Sequence, residues 1–351
     1  MSLALTGDLV TLFRDVVDIE SVSGNEGRLA DLVEQALRDY PHLHVRRDGD
    51  TVIARTELGR AERVVIAGHL DTVPVAENLP SRLVEDRIYG RGTADMKGGV
   101  AVALACAALL TAPRRDVTWV FYDHEEVEAE RNSLTRIARE HPQWLAGDFA
   151  VLMEPTGAVV EGGCQGTLRF RITTTGVAAH SARSWLGHNA IHDAAAVLDR
   201  LAGYVPREVQ VDGLTYREGL NAVAISGGIA SNVVPDRCTI TVNFRFAPDR
   251  DEADARAHCQ AIFDGYRLEF VDSAPAARPG LDQPIAADFV AAVGGTPRAK
   301  FGWTDVARFS GLGLPAVNYG PADPGKAHAD DEFCPISDLI GCRDALLRWL
   351  S

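Results

Sequence analysis

The stretch Arg63 to Pro74, RVVIAGHLDTVP, runs from an unbroken β-branched segment through one glycine into a group of polar side chains. Val64, Val65 and Ile66 are apolar without alternation, the pattern of a strand covered on both faces in a parallel sheet. His69 and Asp71 then fall at the C-terminal end of that strand. There the loops of an open α/β sheet diverge and leave a crevice for ligands. A metal-bound imidazole needs a carboxylate or carbonyl on its second ring nitrogen, and residues two apart on an extended chain share a face, so Asp71 is placed to support His69. Taken alone, a strand-end histidine is an ordinary polar loop residue.

Two more apolar runs repeat the arrangement. Val117 to Tyr122 ends in Asp123-His124-Glu125-Glu126, and Phe149 to Met153 ends in Glu154-Pro155. Asp95 opens an Ala/Leu/Val-rich segment that runs to Leu110 and is apolar almost all round, which predicts a central, covered helix. Each of these acids read singly is a solvated loop carboxylate. Together, His69, Glu125 with Glu126, and Glu154 at successive strand ends, with Asp95 between them, predict a carboxylate-rich site holding at least one imidazole. Such mixed donors suit zinc, cobalt or manganese and disfavour calcium or a structural cysteine site. Glu125 and Glu126 cannot both face inward from a regular strand, so a loop must present them. His328, in Lys326-Ala327-His328-Ala329-Asp330-Asp331-Glu332 after the last core strand, can bring a second imidazole to the same sheet edge.

Composition narrows the function classes. A chain of 351 residues is expected to build two cores. Its net charge of −14 repels nucleic acid and anionic membrane surfaces, which argues against a basic-groove protein. No basic-apolar-small leader pattern and no run long enough to cross a bilayer is present, so the expected location is the cytoplasm. Cys106, Cys164, Cys238, Cys259, Cys334 and Cys342 are scattered without a CxxC pair and read as reduced, mostly buried small hydrophobes.

The order of predicted elements gives the domain plan. Leu5 to Val17 has helical spacing, and Ser23-Gly24-Asn25-Glu26 reads as the loop and N-cap of a helix through Leu37. His44 to Arg47 and Thr51 to Arg55 read as a hairpin turned at Asp48-Gly49. Near Gly166 the character changes, because Thr167 to Thr175 alternates apolar and polar residues as a half-exposed strand does. A helix from Asn189 to Leu201, strands at Ala222 to Ser226 and Cys238 to Phe246, a helix from Glu252 to Phe263 and a strand near Arg267 to Val271 complete a compact α+β unit. Ala274 to Pro284 reads as the return linker. Alternation then resumes with a helix around Ala286 to Val293, a strand at Pro315 to Asn318 and a C-terminal helix from Ile336 to Leu350. The fold class is therefore α/β, with a mixed, largely parallel sheet formed by residues 1–165 and 275–351 and an α+β unit, 166–274, inserted into it.

The motifs His69 to Pro74, Gly90-Arg91-Gly92 through Asp95-Met96-Lys97-Gly98-Gly99, Glu125-Glu126, Met153-Glu154-Pro155, Ala179-His180-Ser181-Ala182-Arg183 and Ala327-His328 resemble, in order and spacing, the dizinc amidohydrolases and peptidases of the M20 family. Phe301 to Phe309, FGWTDVARF, and Asn318-Tyr319-Gly320-Pro321 are most similar to the family's actinobacterial desuccinylase branch. The resemblance implies a zinc-peptidase-like catalytic domain with helices on both sheet faces and an inserted lid or dimerisation domain. It implies that Asp95 bridges two zinc ions, that His69 and Glu154 complete one and Glu126 and His328 the other, with cobalt or manganese as possible substitutes. Asp71 would orient His69, Glu125 would be the general base on the activated water, and the peptide after Asp95 would be cis. It further implies a homodimer in which His180 enters the partner's active site to stabilise the tetrahedral intermediate. Read without the resemblance, His180 is a strand-end surface histidine.

The activity implied is removal of succinate from N-succinyl-LL-2,6-diaminopimelate. So acidic a chain needs local cations to gather a substrate with several carboxylates, and Arg183, Arg245 and Arg308 offer bidentate geometry, with Asn232 and Thr304 adding polar contacts. The plainer reading pairs these arginines with the chain's own acids. One departure stands out: Gly163-Cys164-Gln165-Gly166 carries no arginine where some desuccinylases have one. Alternatives are another deacylase or peptidase of the family, such as an acetylornithine deacetylase, an aminoacylase or a dipeptidase, and a non-catalytic scaffold of the same fold.

Overall fold

A computed structural model describes residues 2–351 and divides them into two compact units. The first comprises residues up to Gly163 with Pro279–Arg298 and Asp305–Ser351. Its eight-stranded sheet runs in the order His44–Asp48, Thr51–Arg55, Asp116–Tyr122, Arg63–His69, Phe149–Leu152, Ala316–Asn318, Glu161–Gly162, Arg298–Ala299. The four central strands, from Asp116–Tyr122 to Ala316–Asn318, are parallel, and antiparallel pairs flank them. Every residue of Asp116–Tyr122, and every residue of Arg63–His69 after the first, is buried, so both pleat faces are covered there.

The helix Lys97–Leu109 is buried from Lys97 to Ala108, as its all-round apolar sequence requires. It approaches the sheet so closely that a Cβ on Gly99 would lie 2.1 Å from the Met153 carbonyl oxygen, which only glycine permits. Leu9–Val17, Gly27–Arg38, Pro284–Val293 and Ile336–Leu350 contribute apolar stripes to the same core. The N-terminal helix begins at Leu9, not near Leu5, because Asp8 caps it by accepting from the Thr11 N–H.

The second unit comprises Cys164–Arg278 and Ala299–Thr304. Its antiparallel sheet runs Gly219–Gly227, Arg237–Phe246, Gly166–Thr175, Leu268–Ala274. Leu168, Phe170 and Ile172 pack with residues of the helices Ala190–Ala202 and Glu252–Ile262, while Arg169 and Arg171 face out. A further hairpin, Glu208–Val211 with Leu214–Arg217, turns at Asp212-Gly213.

The sequence reading keeps 1–165 and 275–351 in the first unit, whereas 164–165, 275–278 and Ala299–Thr304 belong to the second. Ala299 is buried with Val211, Tyr216 and Ala247, and Trp303 donates its indole N–H to the Pro275 carbonyl at 3.0 Å. All six cysteines are free and buried. Among the described residues no helix is long and apolar enough to cross a membrane.

Candidate metal centre

The four parallel strands deliver their acids and imidazoles to one edge of the sheet. His69 ends Arg63–His69, Glu125 and Glu126 follow Asp116–Tyr122, Glu154 follows Phe149–Leu152, and His328 lies in the loop after Ala316–Asn318. Asp95 precedes the helix Lys97–Leu109, and its peptide bond to Met96 is cis. Ligand atoms of His69, Asp95 and Glu154 lie within 4.8 Å of one another, and so do those of Asp95, Glu126 and His328. Asp95 is common to both groups, and a third group joins His69 to Glu125 and Glu126.

The contacts are close. His69 Nε2 is 3.1 Å from Asp95 Oδ1, and His328 Nε2 is 2.9 Å from Glu126 Oε1 and 3.5 Å from Asp95 Oδ2. Asp71 supports His69 through its main chain: the imidazole Nδ1 is 2.9 Å from the Asp71 carbonyl oxygen and 3.5 Å from Oδ1. Of the carboxylate or carbonyl that a second ring nitrogen needs, Asp71 thus offers its carbonyl at the shorter distance. The carboxylate instead accepts from the Glu125 and Glu126 N–H groups, each at 3.0 Å, and from the Ser23 hydroxyl at 2.7 Å.

The loop that presents both glutamates is held at each residue. His124 adopts φ +61, which turns the chain out of the strand. Glu26 accepts from the His124 N–H at 3.2 Å, so three successive amides are held by buried carboxylates. Within Ser23-Gly24-Asn25-Glu26, read from the sequence as a loop and N-cap, Glu26 occupies the cap position, but its side chain makes no capping bond and binds the Gly24 and His124 amides.

The electrostatics follow from this crowding. Burial opposes charge on the His69 ring, yet the Asp95 bond and the charges of Asp71 and Asp95 raise its pKa. Bonds to Asp95 and Glu126 push His328 up to about 10. Asp95 goes the other way: burial would raise its carboxyl, but hydrogen bonds from His328 and His69 hold it well below the usual range. Burial, reinforced by the charges of Asp305, Glu154 and Glu126, raises Glu125 against the pull of His69. A donor set that draws protons onto both imidazoles is one that favours added positive charge, and deprotonated His with carboxylates is the donor chemistry of zinc and its neighbours. The residues present therefore fit a pair of divalent cations.

The remaining candidates fall into two groups. Arg308 is engaged with Asp305, and its Nη1 is 2.5 Å from the Thr135 hydroxyl; Asp305 in turn accepts from Asn132 at 2.9 Å. In the second unit, His180, Arg183 and Asn232 come together. The bridge Ala179–His180 pairs with Val233–Val234, and the Ser181 N–H donates to the Asn232 carbonyl at 2.8 Å. His180 Nδ1 accepts from the Ala182 N–H at 3.0 Å, and the residue is exposed. Arg245 is half-buried opposite Thr167 and Gly219, its pKa lowered by burial and by the charge of Arg169. Thr304 is buried in the Ala299–Thr304 segment.

Residues 65–351 match the model of peptidase family M20/M25/M40. A Mycobacterium tuberculosis protein provisionally named succinyl-diaminopimelate desuccinylase DapE is 54% identical over 99% of both chains. The succinyl-diaminopimelate desuccinylase of Corynebacterium glutamicum is 48% identical over 99% of this chain and 98% of its own. Among solved structures, a Staphylococcus aureus tripeptidase superposes with a TM-score of 0.79 at 20% identity, covering 97% of this chain and 96% of its own. A Bacillus subtilis dinuclear metal-binding peptidase of the M20 family, YxeP, gives 0.70 at 15% identity, covering 99% and 97%. At these identities the two structures speak for the fold.

Proposed function

The chain belongs to the M20/M25/M40 peptidase family, and from that premise we propose that it is a metal-dependent amide hydrolase releasing succinate from N-succinyl-LL-2,6-diaminopimelate. The observation that carries the hydrolase reading is the convergence of His69, Asp95, Glu126, Glu154 and His328 around Glu125. The full-length similarity to desuccinylases supports the acyl group and a place in lysine and diaminopimelate biosynthesis.

In this reading Asp95 with His69 and Glu154 would hold one ion and Asp95 with Glu126 and His328 the other; zinc is the expected metal, with cobalt or manganese as substitutes. When bound, two such ions lower the pKa of the attacking water and polarise the scissile carbonyl. Glu125 takes a proton from that water as its oxygen bonds to the carbonyl carbon. It returns the proton to the amine nitrogen as the C–N bond breaks, so succinate and LL-2,6-diaminopimelate leave. A buried carboxyl with a raised pKa is suited to this exchange, because it accepts and releases a proton nearer neutrality than an exposed one. The Asp71 carboxylate positions Glu125 and Glu126 through their amides.

The second unit is read as the lid and dimerisation domain. Gly219–Gly227 is an edge strand with Val223 and Ile225 more than half exposed, and an open edge of this kind invites pairing with a second copy. In the dimer, the Nε2–H of His180 would reach the partner's site and stabilise the negative charge developing on the carbonyl oxygen. Arg245 heads the substrate contacts, with Arg183, Asn232 and Thr304; Arg308, held by Asp305 and Thr135, is read as structural support. A biosynthetic role favours the cytoplasm.

A small substrate panel tests the acyl group. Succinate release from N-succinyl-LL-2,6-diaminopimelate, with kcat/KM well above that for N-acetylornithine or dipeptides, is expected; a preference for either rival would overturn the assignment. Sedimentation velocity tests the assembly: a dimer that Ile225→Lys dissociates is expected, and a monomeric parent would contradict it.

A further inference from the structure

We infer that Glu332 is a positioning residue that fixes His328 against Asp95 and thereby sets the affinity of the ion held between Asp95, Glu126 and His328; the inference rests on the two-ion reading above. Glu332 lies four residues after His328 and is 1% exposed. Its Oε1 accepts from the Ala94 N–H at 2.8 Å and the Asp95 N–H at 3.0 Å. Its Oε2 accepts from the Gly92 N–H at 3.0 Å and from the Arg91 guanidinium at 2.9 Å. The main chain repeats the connection, since the Glu332 carbonyl accepts from the Gly90 N–H at 3.1 Å and Arg91 Nη1 also reaches the Ala329 carbonyl at 3.3 Å.

One carboxylate therefore joins the loop that carries Asp95 to the loop that carries His328. The two loops are more than two hundred residues apart in sequence, so their relative position depends on such cross-links. His328 sits at φ +65, a conformation that a residue with a Cβ adopts only when its surroundings hold it. The Glu332 side chain accepts four hydrogen bonds from the stretch Arg91 to Asp95 on one side and lies four residues after His328 on the other. Groups that orient metal ligands without touching the metal commonly set affinity by 10- to 100-fold. No bond in this set depends on a metal, so the framework stands before any ion arrives.

The test is a zinc titration of the metal-stripped full-length protein by calorimetry, with the cobalt absorption spectrum as a second readout. Glu332→Gln keeps the shape but places an amide donor where two acceptor positions are needed. The expected result is a loss of about 10- to 100-fold in affinity for the ion at Asp95, Glu126 and His328, with the His69 and Glu154 site changed no more than a few-fold. It should also alter the cobalt bands of the weakened site. A purely structural role would lower the melting temperature and leave both affinities as in the parent; that result, or an equal loss at both sites, overturns the inference. If Glu332→Gln does not fold, Arg91→Lys removes the guanidinium fork while keeping the charge. It should give a smaller loss at the same ion, and unchanged affinities in it would overturn the inference. A parent that takes up fewer than two ions overturns the two-ion reading and this inference with it; a parent with two ions and a Glu332→Gln variant with the same affinities overturns this inference alone.

Discussion

Buried or half-buried carboxylates stand at both ends of the central parallel strands and are treated in opposite ways. At the N-terminal end, Asp116 accepts from the Thr56 hydroxyl, the Leu58 N–H and the Arg60 N–H, all within 2.9 Å, and Arg63 lies 3.7 Å away. At the C-terminal end, Asp95, Glu125, Glu126 and Glu154 crowd together, with His69 and His328 bonded to two of them. The first arrangement is closed: both carboxylate oxygens accept from the chain's own donors, and the group serves the fold. The second concentrates negative charge where the sheet edge opens, which costs stability unless cations enter. Burial alone therefore does not mark a functional acid. The donors supplied to it do: Asp71, Glu26 and Glu332 are bound by the chain's own donors as Asp116 is, but the amides they hold belong to the loops of the candidate metal centre.

The largest effect expected at the crowded end comes from Glu125→Gln. Turnover should fall by about 10³-fold, with two metal ions retained and an unchanged melting temperature. A variant that keeps activity would remove the general base from the account. Asp71→Asn comes next. An amide N–H cannot accept from the Glu125 and Glu126 main chain, so kcat/KM and metal affinity should drop by about 10- to 100-fold. Metal uptake carries its own signature. With His328 raised to about 10 in the metal-free protein, zinc binding near neutral pH should release protons. Calorimetry in buffers of different ionisation enthalpy reads that number directly, and uptake without release would contradict protonated imidazoles.

Asp116→Ala should do the reverse of these. Kinetics and metal content stay as in the parent, while stability falls by about 2 kcal/mol because buried donors lose their acceptor. Burial would raise the Asp116 carboxyl, but the Leu58, Arg60 and Thr56 hydrogen bonds bring it below its ordinary value. A depressed folded pKa means that the contribution is present above the unfolded value of about 3.9 and is lost as the pH falls through the folded one. Denaturant midpoints of parent and variant should therefore converge in that acid range and separate above it.

Much of this contrast was legible in the sequence because it follows strand order. Unbroken apolar runs located three of the parallel strands, and the residues directly after them are those that meet at the sheet edge. The Asp48-Gly49 hairpin and the helix Ile336–Leu350 were read with their observed core boundaries, since turn chemistry and helical spacing are local signals. What escaped was non-local. Glu332 reads as one more acid in Asp330-Asp331-Glu332, and only tertiary contact separates it from its exposed neighbours. The second task of Asp71, holding the Glu125 and Glu126 amides with its carboxylate, depends on a loop whose path the sequence does not state. Ala299–Thr304 joins the second unit through packing, not pattern. The Glu208–Val211 hairpin is different: Asp212-Gly213 between alternating residues carried the same turn signal as Asp48-Gly49.

Anomalous X-ray scattering from crystals of the zinc-loaded protein tests the central claim most directly. Two peaks are expected, one among His69, Asp95 and Glu154 and one among Asp95, Glu126 and His328. A single peak, or zinc bound elsewhere while these five side chains hold only protons and water, would contradict it.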